Sequence, residues 1–117
     1  SRDLAFESIG RPDCDVLDPN SIARAIESIR PWAVVNAAGF VNVDEAERDP
    51  EGCMRLNVEG AKLLAEACAE AKLPLLAFSS DLVFDGRADS PYVESVSPAP
   101  LNVYGRSKAE AETAVLE

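Results

Sequence analysis

The sequence predicts an α/β fold with a doubly wound parallel sheet, and three observations lead to this prediction. Apolar runs at residues 32–36 and 75–78 show no polar alternation, which is typical of strands covered on both faces. Helical patterns lie between and after these runs, so helix and strand alternate. The 117 residues, 47% hydrophobic and 27% charged, suffice for one folded core. We therefore expect the strand aromatics Trp32 and Phe78 to be buried in that core.

The first element is a helix over residues 18–30. Asp18 is a suitable N-cap, Pro19 fits the first helical position, and isoleucines recur at helical spacing on one face. Pro31 then ends the helix, and the first strand follows immediately.

The middle of the chain predicts a short helix at residues 44–48 and a longer one from Pro50 to about Lys72. Gly60 lies inside the longer helix. A glycine there costs about 1 kcal/mol relative to alanine unless a close neighbour needs the space. We therefore expect tight packing at Gly60.

The last third begins with the second strand and ends with a helix over residues 102–117. Between them, residues 85–100 contain a glycine and three prolines and predict a long surface loop. The two strands end in polar residues, Asn36 and Ser80. Ligands of doubly wound sheets bind at the carboxyl ends of the strands, so both residues are site candidates.

Charge and hydropathy limit the partners. Eleven Lys and Arg against 21 Asp and Glu give a net charge of -10, which repels nucleic acid and anionic membrane surfaces. No apolar run reaches the length of a membrane span, and no leader opens the chain. We expect a cytoplasmic protein that binds neither nucleic acid nor membrane.

The residue inventory limits the chemistry. The absence of histidine excludes a Ser-His-Asp machine and imidazole-dependent zinc sites, so acid–base work falls to Tyr, Lys, Asp or Glu. Cys14, Cys53 and Cys68 are odd in number and lack CxxC spacing, which predicts buried thiols in a reducing compartment. The acidic residues at 44–49 suit a solvated helix start, so we expect no metal site.

The sharpest chemical motif is Tyr104-x-x-x-Lys108. Four-residue spacing places the phenol and the ammonium on one helical face, where the cation favours the phenolate and suits Tyr104 for proton transfer. A hydroxyl from Ser80 could then hold a substrate carbonyl. Taken alone, the motif more often marks a solvated tyrosine beside a surface lysine.

The order of motifs is more specific than any one of them. A strand ending in Asn-Ala-Ala-Gly, a strand ending in Ser-Ser-Asp and a helix with Tyr-x-x-x-Lys resemble the extended short-chain dehydrogenase/reductases. Within them, the strings at residues 43–47, 57–60, 79–86 and 100–105 are most similar to dTDP-4-dehydrorhamnose reductases. The resemblance runs from about Asp15 to the end of the chain.

This resemblance implies a Rossmann-like domain, NADPH or NADH as cofactor, and reduction of a nucleotide-linked 4-keto sugar; a homo-oligomer stays open. It implies catalytic residues Ser80, Tyr104 and Lys108, cofactor-binding residues Asp15, Val16, Asn36, Ala37, Ala38, Gly39, Tyr104 and Lys108, and substrate-binding residues Val43, Ser80 and Asp81.

Several of these residues also suit simpler structural roles. Asp15 could begin a turn, Asn36 could cap a strand end, and Asp81 could form an Asx turn. Asn57 suits a helix kink as well as a proton relay.

Two departures from the family pattern shape the expectation. None of the six glycines forms a dinucleotide fingerprint. Residues 1–117 are therefore expected to be the central part of an NAD(P)-binding domain, without the glycine-rich βαβ segment or the substrate domain. Alone, this part is expected to be inactive. Leu82 replaces both the family's tyrosine and the glutamate of related dehydratases, which disfavours dehydration. A sugar-nucleotide epimerase, or a non-catalytic subunit resembling the methionine adenosyltransferase regulatory subunit, remains the alternative.

Overall fold

Two parallel strands and five α-helices make up the framework of residues 4–117, the part of the chain that this computed structural model describes. The elements are α1 (Pro19–Ile29), β1 (Val34–Asn36), α2 (Val43–Arg48), α3 (Pro50–Met54), α4 (Gly60–Glu70), β2 (Leu75–Ala77) and α5 (Val103–Leu116). The strand register pairs Val34 with Leu75 and Asn36 with Ala77. The predicted alternation of helix and parallel strand is confirmed.

Local capping sets the limits of α1 as the sequence predicts. The side chain of Asp18 accepts a hydrogen bond from the Asn20 amide at 2.9 Å, and Pro19 occupies the first helical position. At the other end, Arg30 adopts a left-handed conformation with φ 51°, and its amide donates to the Ile26 carbonyl at 2.9 Å.

The long middle helix is less regular than predicted. Asp49 caps α3, but a π-helical segment, Arg55–Glu59, separates α3 from α4. The widened turn precedes Gly60, where a Cβ atom would stand 3.0 Å from Cγ2 of Val16. This close approach confirms the tight packing expected at Gly60 and explains why glycine is tolerated inside the helix.

The main core lies between α1, α4 and one face of the strand pair. Its fully buried members are Ile22, Leu64 and Cys68. Partly buried apolar side chains surround them: Cys14, Ile26, Val34, Leu63, Ala67, Leu73 and Leu75. Among the helices of residues 4–117, none has the length and apolar content that crossing a membrane requires.

The expectation of strands covered on both faces is wrong for the described residues. Side chains alternate along a strand, so Val34 faces the core while Val35 faces away. Val35 and its register partner Leu76 are 59% and 54% exposed, and the expected core aromatics Trp32 and Phe78 are 70% and 60% exposed. Helices α1 and α4 pack on one face only, which accounts for the difference. The expectation of a buried thiol is also wrong for Cys14, which is half-buried.

The loop between β2 and α5 contains neither helix nor strand beyond a short 3₁₀ turn at Asp81–Val83, as predicted. Its conformation is set by contacts. The rings of Phe84 and Tyr92 stack with centroids 4.3 Å apart, and the Tyr92 hydroxyl donates to Oδ1 of Asp85 at 2.8 Å. Further along, the Ala99 amide donates to the Val83 carbonyl at 2.8 Å.

Candidate functional site

The carboxyl ends of β1 and β2 form one edge of the strand pair because the strands are parallel and Asn36 is in register with Ala77. After β1, Oδ1 of Asn36 accepts a hydrogen bond from the Ala38 amide at 3.0 Å and so holds the turn at residues 37–39. The structure thus places the predicted cofactor turn and the Ser80 segment at the same edge.

Ser80 immediately precedes the 3₁₀ turn. Its Oγ accepts from the Leu82 amide at 3.2 Å and donates to Oδ1 of Asp81, also at 3.2 Å. Ser80 is half-buried and Asp81 is exposed. The hydroxyl is therefore fixed by its own turn, but its proton can rotate from Asp81 to another acceptor.

Two side chains hold the first turn of α5, which carries Tyr104. Asn102 caps the helix by accepting from the Gly105 amide at 2.6 Å, and Oε1 of Glu47, from α2, accepts from the Val103 amide at 2.7 Å. Tyr104 and Lys108 lie one turn apart on α5, and both are half-buried.

Gly105 brings the Ser80 turn against α5. A Cβ atom on Gly105 would overlap the carbonyl oxygen of Leu82 and stand 3.0 Å from its carbonyl carbon. Only glycine permits this approach between backbones. The residues immediately after Ser80 therefore contact the helix right beside Tyr104, so the structure brings the three predicted catalytic residues onto neighbouring elements.

Burial lowers the pKa of Lys108 below its ordinary value, while the negative charge of Glu112 and, next, the nearby Cys53 act in the opposite direction. Within residues 4–117, no carboxylate forms an ion pair with Lys108. Its ammonium is thus available to a ligand hydroxyl.

A buried polar cluster links the turn after β1 to α5, and sequence reasoning found only part of it. Asn57, in the π-helical segment, accepts from the Phe40 amide at 2.7 Å and donates to its carbonyl at 3.2 Å. It also donates to Oγ of Ser107 at 2.8 Å, and Ser107 donates to the Tyr104 carbonyl at 2.7 Å. Asn57 therefore joins the turn after β1 to α5 from within the widened helical turn. Ser107 was missed because its partner lies 50 residues away.

The two predicted cofactor segments pack against the same helical region. Gly39 lies beside Asn57, whose Oδ1 would be 3.0 Å from an added Cβ, and Val16 lies beside Gly60. Asp15 makes a turn, since its Oδ1 accepts from the Leu17 amide at 3.0 Å. Because Asn57 and Gly60 are three residues apart, the segments at 15–16 and 37–39 come near one another.

A cavity of about 410 Å³ lies beside the turn that follows Ser80, although Ser80, Tyr104 and Lys108 do not line it. Its walls are the segment that follows Ser80, the residues just before α5, and Tyr92. Val43, the remaining substrate candidate, is the first residue of α2 and is half-buried. Within residues 4–117, no group of three or more Asp, Glu or Cys side chains is arranged to hold a metal ion.

Parallel strands with a polar carboxyl edge, facing a helix that carries Tyr-x-x-x-Lys, define a segment of a Rossmann-like α/β domain. A family model described as the RmlD substrate binding domain matches residues 1–117. The chain belongs to this family, and the predicted resemblance is confirmed.

Individual relatives agree with this assignment. A dTDP-4-dehydrorhamnose reductase from Streptomyces griseus is 40% identical over 116 residues, which are 99% of this chain and 38% of that protein. The crystal structure of a dTDP-4-dehydrorhamnose reductase from Bacillus anthracis in complex with NADP superposes with a TM-score of 0.88 at 30% identity, covering 92% of this chain and 39% of that one. A UDP-glucose 4-epimerase from Brucella ovis in complex with NAD gives a TM-score of 0.77 at 31% identity, covering 85% and 31%. The chain thus spans well under half the length of the relatives it matches.

Proposed function

We propose that this chain belongs to an NAD(P)H-dependent reductase of a nucleotide-linked 4-keto sugar, with Ser80, Tyr104 and Lys108 as its catalytic residues. The contact of Gly105 with Leu82 is the observation that carries the proposal, because it sets the Ser80 turn against the first turn of α5, which carries Tyr104. The NADP complex of the Bacillus anthracis relative supports the choice of cofactor.

The residues at the strand edge suit a bound dinucleotide. Ala37, Ala38 and Gly39 have small, uncharged side chains, so the backbone of their turn can approach a phosphate or ribose closely. Lys108 has no ion-pair partner among residues 4–117 and can donate to ribose hydroxyls. When bound, the nicotinamide supplies the hydride.

Tyr104 is the proton donor in this proposal. It gives its phenolic proton to the carbonyl oxygen of the substrate, and the ammonium of Lys108 stabilises the phenolate that remains. Ser80 orients the same oxygen after its hydroxyl proton turns away from Asp81. A positioned acid of this kind contributes about 100- to 10,000-fold to a rate.

Leu82 favours reduction over dehydration. Its side chain carries no group that transfers protons, and it lines the cavity beside Asp81. Val43 and Asp81 are proposed to contact the sugar nucleotide. The similarity to the Brucella ovis epimerase makes epimerisation the second candidate, since the same three residue types also serve a reversible hydride transfer.

The test is turnover by the full-length protein, purified and supplied with a dTDP-linked 4-keto sugar and either NADPH or NADH. Loss of nicotinamide absorbance, equal in amount to the reduced sugar formed, supports the proposal. Conversion of one sugar nucleotide into its epimer without net cofactor oxidation would instead identify an epimerase. Saturable cofactor binding without any turnover would favour the non-catalytic subunit.

A further inference from the structure

Ser79, the neighbour of Ser80, is tied to the catalytic helix by a side-chain hydrogen bond. Its hydroxyl donates to Oε1 of Glu112, which lies on α5 one turn beyond Lys108. Neither Ser79 nor Glu112 is among the predicted site residues. Tyr104, Lys108 and Glu112 recur every four residues and so form one stripe along the helix.

The segment after β2 therefore touches α5 at two points. At one end Ser79 meets Glu112, and at the other the Leu82 carbonyl meets Gly105. Gly105 and Glu112 are seven residues apart and lie nearly in line, with a rise of about 10 Å between them. Ser80 lies between the two contacts along the chain.

We propose that Glu112 is a positioning residue for the proposed reduction, holding Ser79, and through it Ser80, against the stripe of α5 that carries Tyr104 and Lys108. This inference rests on the proposed function. The Ser79 contact attaches this segment to α5 at a second point beside the Leu82 contact, and without it the Ser80 hydroxyl has more freedom to move away from the carbonyl it orients. Misplacement of about 1 Å at a reacting group costs about 100-fold in the extreme case.

The charge of Glu112 has a second effect at the same place. Burial lowers the pKa of Lys108, and Glu112 opposes that shift from one turn away; Cys53, on α3, acts in the same sense as Glu112. Removing the carboxylate charge therefore lowers the pKa of Lys108 further. The loss of activity on the alkaline side of the pH profile should then begin at a lower pH.

Two substitutions in the full-length protein separate the hydrogen bond from the charge. Ser79→Ala removes the bond and keeps the charge, while Glu112→Gln keeps an acceptor and removes the charge. Ser79→Thr keeps the hydroxyl and tests rescue. Glu110→Gln is the matched control, since Glu110 is an exposed carboxylate on the same helix.

We expect Ser79→Ala to lower kcat about tenfold, the value of one charge-assisted hydrogen bond, with KM changed less than twofold. Ser79→Thr should restore the activity. Glu112→Gln should move the alkaline limb of the pH profile to lower pH, whereas Ser79→Ala and Glu110→Gln should leave it in place. If the wild-type protein is active and the Ser79→Ala and Glu112→Gln variants match it, the inference is refuted while the proposed function stands. The same holds if Ser79→Thr is as impaired as Ser79→Ala. An inactive wild-type protein would refute the proposed function and this inference with it.

Discussion

Gly105→Ala is the substitution whose effect the geometry defines most closely. The new methyl group would overlap the Leu82 carbonyl oxygen and stand 3.0 Å from the carbonyl carbon and 3.2 Å from Oδ1 of Asn102. The obstacle is backbone, so no rotamer change relieves it. Helix α5 and the Ser80 turn must separate by at least about 1.3 Å to restore ordinary contact.

The stability change is a balance of two effects. Alanine favours a helix over glycine by about 1 kcal/mol, while overpacking costs about 1–3 kcal/mol and the strained Asn102 cap adds to that cost. We expect the variant to unfold about 1–2 kcal/mol more easily in urea. Because the shift separates Tyr104 from Ser80, kcat in the full-length protein should fall by about 100-fold.

Gly10→Ala is the control, since an added Cβ there meets nothing within 4 Å. It should leave both urea unfolding and turnover unchanged. The reasoning fails if Gly105→Ala is as stable and as active as wild type, because the contact between Leu82 and α5 would then not hold the site together.

Three further outcomes are expected. Lys108→Met should abolish turnover yet raise the free energy of unfolding near neutral pH, because the pKa of Lys108 is lowered on folding. This gain in stability should vanish as the pH approaches 10.5, the ordinary pKa of a lysine, and urea unfolding near neutral pH and near pH 10.5 checks it. Gly60→Ala should destabilise by about 1 kcal/mol, since the stiff Val16 side chain stands 3.0 Å away, and should raise the KM for the cofactor in steady-state assays. Burial raises the pKa of Cys14 and Cys68, so iodoacetamide should label both, as read by mass spectrometry, far more slowly in the native protein than in denaturant, with the half-buried Cys14 reacting first.

Elements with local signals were predictable from the sequence. The bounds of α1 and the start of α5 follow from caps and prolines nearby in the sequence, and Asp18 caps α1 as the pattern indicates. The π-helical segment Arg55–Glu59 was not predictable, because its widened turn accompanies contacts of Asn57 with residues 17 and 50 positions away. The prediction that both faces of the strands are covered was wrong because an apolar run does not show which element packs on each face.

The same distinction applies to the candidate site. Tyr104 and Lys108 stand out because their spacing is local, and Ser80 because it follows a strand. The contacts that hold them are distant in sequence: Ser79 with Glu112 is 33 residues apart, and Glu47 with Val103 is 56. Such pairs carry no periodic pattern, so only the folded chain reveals them.

Single-turnover reduction by Tyr104→Phe, compared with wild type in the full-length protein, tests the central claim most directly. The substitution removes the transferable proton and leaves the ring in place. With the enzyme–NADPH complex in excess over a dTDP-linked 4-keto sugar, we predict a rate about 100- to 10,000-fold lower, with the affinity for NADPH unchanged by calorimetry. A rate within a few-fold of wild type would contradict the assignment of Tyr104 as proton donor and, with it, the proposed reaction.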